Sequence, residues 1–416
     1  MVRVDSYFIE KCINELQELT DKDRPYTRLV FSKEFIEARN WLTDRFKELE
    51  LDIKVDKAGN LIGIYRSYNN SNKKVFIGSH LDTVPFGGRF DGIAGVVSSL
   101  SIIKSFRENN VEFPFDIELY DYLGEELNDW GMSCIGSRGM TGFLTEEILN
   151  RKNSSGKILK EEINKIGGDS NSLGKKFSIF QDIIACFELH IEQGVRLQNQ
   201  NIEIGIVKSM PNISRHRIKV FGQASHSGTT LMQDRKDAIL PASDLILYIN
   251  KQAKKYSEKD NRHFVATVGK LDIVPNSATI IPSKVELLID LRVVNKGSRT
   301  NFLKELNSEV TRLNNLYNQK IILEDVVFAP YVEMNSEVNL LLESSAKKLN
   351  LSYMYMDSGA GHDTAHLSRV APASMIFIPC KDGLSHCPEE FAKIEDIKKG
   401  SQIIQQAILS IKNKMT

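Results

Sequence analysis

Cysteine is scarce and unpatterned: five residues, at 12, 134, 186, 380 and 387, with no CxxC pair among them. That leaves neither a disulfide framework nor a zinc knuckle to expect, and a reducing cytoplasm is the expected location. Charge of either sign is missing in excess. Lys plus Arg and Asp plus Glu both number 54, a formal net charge of zero. No global field for nucleic acid or a membrane surface follows from that balance. No apolar run survives unbroken long enough to span a bilayer. The first residues, MVRVDSYFIEKC, hold no apolar core of a secretion signal. Repeats and low-complexity segments are lacking too.

What remains is the balance of a folded chain, 41% apolar and 26% charged. A length of 416 residues exceeds one ordinary core, so two domains are expected. Apolar residues in Phe35 to Leu42 recur with a helical period. Short apolar strands follow at Leu61–Tyr65, Lys74–Gly78, Ile117–Tyr120 and Ile183–Leu189, with a helical pattern from Gly92 to Phe106. Such alternation predicts an α/β sheet covered on both faces.

After Met210-Pro211 the register changes. Ile213–Phe221 alternates as a half-buried strand, and its His216 is expected to be exposed. Then come a helix over Lys236–Ala253, strands at Phe264–Leu271 and Lys284–Val294, a helix over Ser298–Leu313 and a strand at Lys320–Phe328. The order β-α-β-β-α-β is that of a ferredoxin-like sandwich. Beyond Pro330 the α/β alternation resumes. The expected plan is therefore a first domain from 1–209 and 331–416, with 210–330 inserted as a smaller α+β domain. Asn150–Lys176, rich in Lys, Asn, Ser and Gly, reads as a surface excursion.

Five segments place chemistry at strand ends, where ligands of open α/β sheets collect. Gly78-Ser79-His80-Leu81-Asp82 offers a histidine that could bind a metal and an aspartate that could orient it. Gly87-Gly88-Arg89-Phe90-Asp91-Gly92 sets Asp91 between glycines that permit tight turns. Glu125-Glu126 follows a strand directly, and adjacent carboxylates repel unless a cation or a proton intervenes. His190 in ELHIEQG and His386 in SHCPEE close the set. Taken singly, each has an ordinary explanation: a satisfied core histidine, a helix N-cap, a solvated acidic turn. Three histidines, an aspartate and a glutamate together at the strand ends of one sheet fit a metal site better.

In order and spacing the segments GSHLDTVPFGGRFDG, EEL-x3-GMSCIGSR, ELHIEQG, ASHSGTT-x4-R-x-DA, VPN-x5-P, DLR, SGAGHD and SHCPEE resemble the M20-type bimetal amidase family. This branch comprises N-carbamoyl-L-amino acid hydrolases, β-ureidopropionases and allantoate amidohydrolases. The resemblance runs from residue 78 to 390, and ELHIEQG and SGAGHD are the segments particular to the amidase branch. It implies a mixed-sheet metallopeptidase-like catalytic domain and an inserted ferredoxin-like lid and dimerisation domain. It implies two divalent ions per subunit, of Zn, Mn, Co or Ni. By that similarity His80 and His190 hold one ion, Glu126 and His386 the other, and Asp91 both. Glu125 is the general base, and His226 of the inserted domain stabilises the tetrahedral intermediate. Gln193, Asn276, Arg292, Gly359 and Ala360 form the substrate pocket, with Arg292 suited to a carboxylate. His362 is expected to be packing.

The implied activity is hydrolysis of the carbamoyl C–N bond of an N-carbamoyl-L-amino acid or similar ureido acid. The implied assembly is a homodimer with no nucleic acid or membrane partner. Allantoate amidohydrolase and β-ureidopropionase are the nearest alternatives, ahead of an aminoacylase or peptidase and of a binding protein on a degenerate scaffold. The chain departs from the family pattern at Leu127, where Gly is usual, and at Asp129, where Arg is common. Further departures are Ser227 for Ala, Leu231 for Pro and Thr279 for Asn. None of these removes a ligand or the base; all bear on the substrate.

Overall fold

The computed structural model describes residues 3–260 and 262–415. In chain order its strands are β1 (Asp52–Val55), β2 (Leu61–Tyr65), β3 (Lys74–Ser79), β4 (Asp116–Asp121), β5 (Ile183–Ile191), β6 (Ile204–Met210), β7 (Asn212–Phe221), β8 (Ser225–His226), β9 (Phe264–Val274), β10 (Ile280–Ile281), β11 (Lys284–Val293), β12 (Lys320–Ala329), β13 (Val332–Glu333), β14 (Tyr353–Asp357) and β15 (Ala373–Ile378). By contacts the chain divides into two compact units. One runs up to Lys208 and continues with Glu333–Met356 and from His362 onward; the other is Ser209–Val332 with Asp357–Gly361.

The first unit is built on a mixed sheet ordered β1-β2-β4-β3-β5-β15-β6-β13, with β14 added against β6. Its middle, β4-β3-β5-β15, is parallel, and antiparallel pairs flank it. β4 and β15 are buried at every position, as parallel strands covered on both faces must be. One face carries the helix Ile93–Glu108, itself buried nearly all round because the helices Ser6–Gln17 and Ile394–Met415 pack beside it. Three of its serines find partners there: Ser98 meets Ser401, Ser99 donates to the Gly95 carbonyl, and Ser105 accepts from Gln405. On the other face Phe76, Tyr120 and Tyr122 pack with Ile62, Met140 and Leu367.

The second unit orders its main sheet β12-β7-β11-β9, antiparallel throughout. Two long helices, Ile239–Asp260 and Lys296–Tyr317, supply the α elements of a ferredoxin-like β-α-β-β-α-β order. Ile218, Val220, Leu287 and Leu291 form its core with Leu245, Ile249, Phe302 and Leu306. The second helix begins two residues before the expected Ser298, because the Asn295 side chain accepts from the Gly297 and Ser298 amides and caps it. β8 and β10 form a separate two-stranded ribbon.

Two expectations change. Residues 357–361 group with the second unit although they lie beyond the expected boundary at 330. The Ser358 amide donates to the Ser209 carbonyl at 2.9 Å, and Arg292 donates to the Gly359 carbonyl at 3.1 Å. His216, expected to be exposed, is buried. Strand alternation puts it on the same face as Ile218 and Val220. Its Nδ1 lies 2.7 Å from the Asp325 carboxylate and its Nε2 3.1 Å from Ser214 Oγ.

Candidate metal centre

The parallel order of the central strands explains how distant residues meet. β3 ends at Ser79, β4 at Asp121, β5 at Ile191 and β15 at Ile378, and these strands are neighbours with carboxyl ends on one side. His80 follows β3, Glu125 and Glu126 follow β4, His190 lies at the end of β5, and His386 sits on the loop after β15. Asp91 comes from the glycine-rich turn that opens the helix Ile93–Glu108. Donor atoms of His80, Asp91 and His190 lie within 4.8 Å of one another, as do those of Asp91, Glu126 and His386.

Asp91 belongs to both groups through different oxygens. Its Oδ1 faces His190 Nε2 at 2.8 Å and His80 Nε2 at 3.8 Å. Its Oδ2 faces His386 Nε2 at 3.0 Å, and His386 Nε2 is also 3.2 Å from Glu126 Oε1. The two imidazoles beside Oδ1 are oriented alike. His80 Nδ1 lies 3.0 Å from the Asp82 carbonyl, and His190 Nδ1 3.0 Å from the Ile191 carbonyl. A carbonyl can only accept, so Nδ1 carries the proton and the Nε2 lone pair points inward in the neutral ring. Both Nε2 atoms are buried and face carboxylate oxygens rather than a backbone partner. Inward nitrogen lone pairs around a shared carboxylate are the donor set that a divalent transition metal takes.

Electrostatics agree. Asp82, Asp91, Glu125 and Glu126 are all buried here, and such a concentration of carboxylates is costly without cations. Burial alone would lower the His80 imidazolium, but Glu125, Asp82 and Asp91 outweigh it and hold it well above the ordinary value. For His386, hydrogen bonds to Asp91 and Glu126 push the ring up to about 11. The carboxylates thus call for positive charge, which protons supply when no metal does. Glu125 is pushed well above the carboxylate range, first by burial and then by Glu126 and Asp363 against the opposing pull of His80. Its Oε2 is 3.6 Å from His80 Nε2.

Gly92 makes the turn possible. Its φ is +67°, and a β-carbon there would lie 2.4 Å from His80 Cε1. His386 and Gln193 are non-glycine residues in the left-handed region, at φ +58° and +54°. That is a local cost of the kind that gathers at functional sites.

Asp82 acts differently from the expectation of a carboxylate behind His80. It is the Asp82 backbone carbonyl that meets the ring at 3.0 Å, while its carboxylate is 3.7 Å away. The carboxylate instead accepts the amides of Glu125 and Glu126, each at 3.1 Å, and so pins the paired glutamates. Gln193 donates to Asp91 Oδ2 at 2.9 Å. His362 is buried with its ring centroid 4.4 Å from that of His190. Residues not singled out from the sequence also enter. Glu390 accepts the amides of Phe90 and Asp91, Glu188 accepts from Ser79 Oγ and Thr364, and Cys134 Sγ lies 3.8 Å from Glu125 Oε1.

The remaining expected residues lie in the second unit. His226 is exposed at the end of β8, and its Nδ1 accepts the amides of Gly228 and Thr229 at 3.0 and 3.2 Å. Its Nε2 therefore carries the proton and is a donor. The Ser227 amide donates to the Thr279 carbonyl, tying the His226 segment to the loop that follows Asn276. Arg292 is held by Asp290 at 2.8 Å and by the Gly359 carbonyl, next to Ala360.

The model for "Peptidase family M20/M25/M40" matches residues 76–410. The chain is 31% identical over 401 residues to an N-carbamoyl-L-amino-acid amidohydrolase of Pseudomonas sp., covering 95% of this chain and 96% of that protein. It is 32% identical to a ureidoglycolate hydrolase of Oryza sativa, covering 97% of this chain and 84% of that one. A hydantoinase/carbamoylase-family amidase from Burkholderia multivorans superposes with a TM-score of 0.88 at 29% identity, covering 99% of this chain and 98% of that one. With the family match running over residues 76–410 and relatives above 30% identity over nearly the whole chain, the chain belongs to peptidase family M20/M25/M40.

Proposed function

We propose that the protein hydrolyses the carbamoyl C–N bond of a small ureido acid, an N-carbamoyl-L-amino acid or a close analogue, with two divalent ions. The observation that carries this reading is the pair of three-residue groups sharing Asp91, with Glu125 beside them. His80 and His190 would hold one ion, Glu126 and His386 the other, and Asp91 both. Bound there, the ions would lower the proton affinity of a water and polarise the scissile carbonyl. Zn, Mn, Co and Ni all suit this mixed nitrogen and oxygen set.

Glu125 is the acid–base. Its buried carboxyl has a raised proton affinity, so it can take the proton of the attacking water and return it to the leaving nitrogen. Asp82 holds the Glu125 backbone while the side chain works. His226 offers its Nε2 proton to the oxyanion of the tetrahedral intermediate. Arg292 binds the substrate carboxylate, with Asn276, Gln193 and the Gly359-Ala360 backbone completing the pocket. The amine leaves, and the carbamic acid released breaks down to carbon dioxide and ammonia. In this reading the second unit is the lid and dimerisation module of a cytoplasmic homodimer, and His226 serves the partner's site.

The names of the relatives share a ureido acid as substrate, which favours this bond over a peptide bond. Product analysis decides it, with ammonia counted for the ureido acids and the freed amine for every substrate. The metal-loaded protein is offered N-carbamoyl-L-amino acids, 3-ureidopropionate, allantoate and ureidoglycolate, beside N-acetyl amino acids and dipeptides. Turnover confined to the last two groups would overturn the proposal.

A further inference from the structure

Most of the candidate ligands are fixed by the sheet. His80 and His190 sit at the ends of hydrogen-bonded strands, and the Asp82 carboxylate pins the amides of Glu125 and Glu126. Asp91 and His386 lack that support. One lies on the turn before the helix Ile93–Glu108 and the other on the loop after β15. Their segments are far apart in sequence, and two side chains join them: Gln193 Nε2 donates to Asp91 Oδ2 and Ser385 Oγ, and the buried Glu390 reaches the backbone of the turn. Glu390 Oε1 accepts the amide of Phe90 at 2.8 Å and of Asp91 at 3.0 Å. Its Oε2 accepts from Ser385 Oγ at 2.7 Å, one residue before His386. Ser385 Oγ is in turn 3.4 Å from Asp91 Oδ2.

The joint is tight. A β-carbon on Gly88 would lie 1.9 Å from Glu390 Oε1, so glycine is what lets the carboxylate reach the turn. The loop it holds is under strain, with His386 at φ +58°. A strained loop keeps its shape only if its surroundings over-determine it, and the Ser385–Glu390 bond is such a restraint.

Resting on the two-ion reading, we infer that Glu390 is a positioning residue that sets Asp91 against His386 and so builds the ion position formed by Asp91, Glu126 and His386. It touches neither substrate nor ion. The His80–Asp91–His190 position keeps its two strand-end histidines without it and is the less dependent of the two. Removing partners of this kind costs roughly 10- to 100-fold in metal affinity.

The test is a titration of apo-protein with Co²⁺, followed by calorimetry and by the cobalt absorption bands, on wild type, Glu390→Ala, Glu390→Gln and Ser385→Ala. Wild type should bind two equivalents. Fewer would overturn the two-ion reading itself, whatever the variants do. Glu390→Ala should bind the first equivalent within a few-fold of wild type and the second at least tenfold more weakly. Glu390→Gln should restore the second, because its amide oxygen still accepts both backbone amides and its nitrogen can donate to Ser385. A purely structural role would lower the melting temperature and both affinities together. If Glu390→Ala fails to fold, Ser385→Ala removes one arm of the joint and should weaken the second equivalent alone. Two wild-type equivalents with unchanged affinities in whichever of these two variants folds would refute the assignment.

Discussion

Replacing Gly92 by alanine perturbs the centre by a single carbon, and its cost can be worked out. The residue sits at φ +67°, where a side chain costs roughly 1–2 kcal/mol. The new β-carbon would lie 2.4 Å from His80 Cε1 and 2.5 Å from both ring nitrogens. Ordinary contact begins near 3.4 Å, so ring or turn must yield by about 1 Å. Overpacking of this sort costs typically about 1–3 kcal/mol. Together the apo-protein should lose about 2–5 kcal/mol, read as a shifted denaturant midpoint with unchanged slope. The functional cost should be larger, because a metal–ligand distance tolerates only about 0.2 Å. Where Gly92→Ala folds, its metal content should fall first at the His80–Asp91–His190 position, the reverse of the order expected for Glu390→Ala. A variant with wild-type stability and two tightly bound ions would show that the turn has slack, and would refute the steric account of Gly92.

Glu125→Gln should keep both ions while turnover drops roughly 10²–10⁴-fold, as when a positioned acid–base is removed; parallel loss of metal would contradict the division of labour between the two glutamates. Metal binding should release protons. The His80 imidazole is held well above its ordinary value and that of His386 is pushed up to about 11 in the metal-free chain, so near pH 7 they hold protons that the ions must displace, and affinity should rise with pH. Calorimetry in buffers of different ionisation enthalpy counts those protons, and none released at pH 7 would refute the picture. Arg292→Met should raise KM far more than it lowers kcat, and an unchanged KM would remove Arg292 from carboxylate recognition. Glu125→Ala and His226→Ala should each be inactive alone and regain activity when mixed as exchanging subunits; no recovery despite proven exchange would place His226 in its own chain's site or outside the chemistry.

What could be read from the sequence was what local pattern encodes. Buried strands that lead to His80, Glu125 and His190 announce themselves by apolar runs that stop at polar residues. The alternation from Ile213 and the helical periods after it give the order of the second unit. His216 was within reach of the same logic, since it shares parity with Ile218 and Val220, but a polar residue in an alternating strand invites the opposite reading. Asp82 was singled out, but its role, like that of Glu390, was not accessible. Their carboxylates bond to backbone amides 43 and 299 residues away, and an amide N–H has no residue type to betray it. Residues 357–361 join the second unit through main-chain carbonyls and amides, and through the Asp357 carboxylate that Ser209 and Arg262 bind; no local pattern announces either kind of partner.

The placement of β15 has a consequence for how the chain is made. It lies between β5 and β6, yet it emerges from the ribosome after both, and after the whole stretch from Ser209 to Val332. Until it arrives, the inner edges of β5 and β6 have no neighbour, and open apolar edges invite pairing with other chains. His386 comes later still, so a nascent chain has at most part of the donor set. On the two-ion reading, competence to take up both ions is thus a late event in biosynthesis, signalling that the last strand has closed the gap.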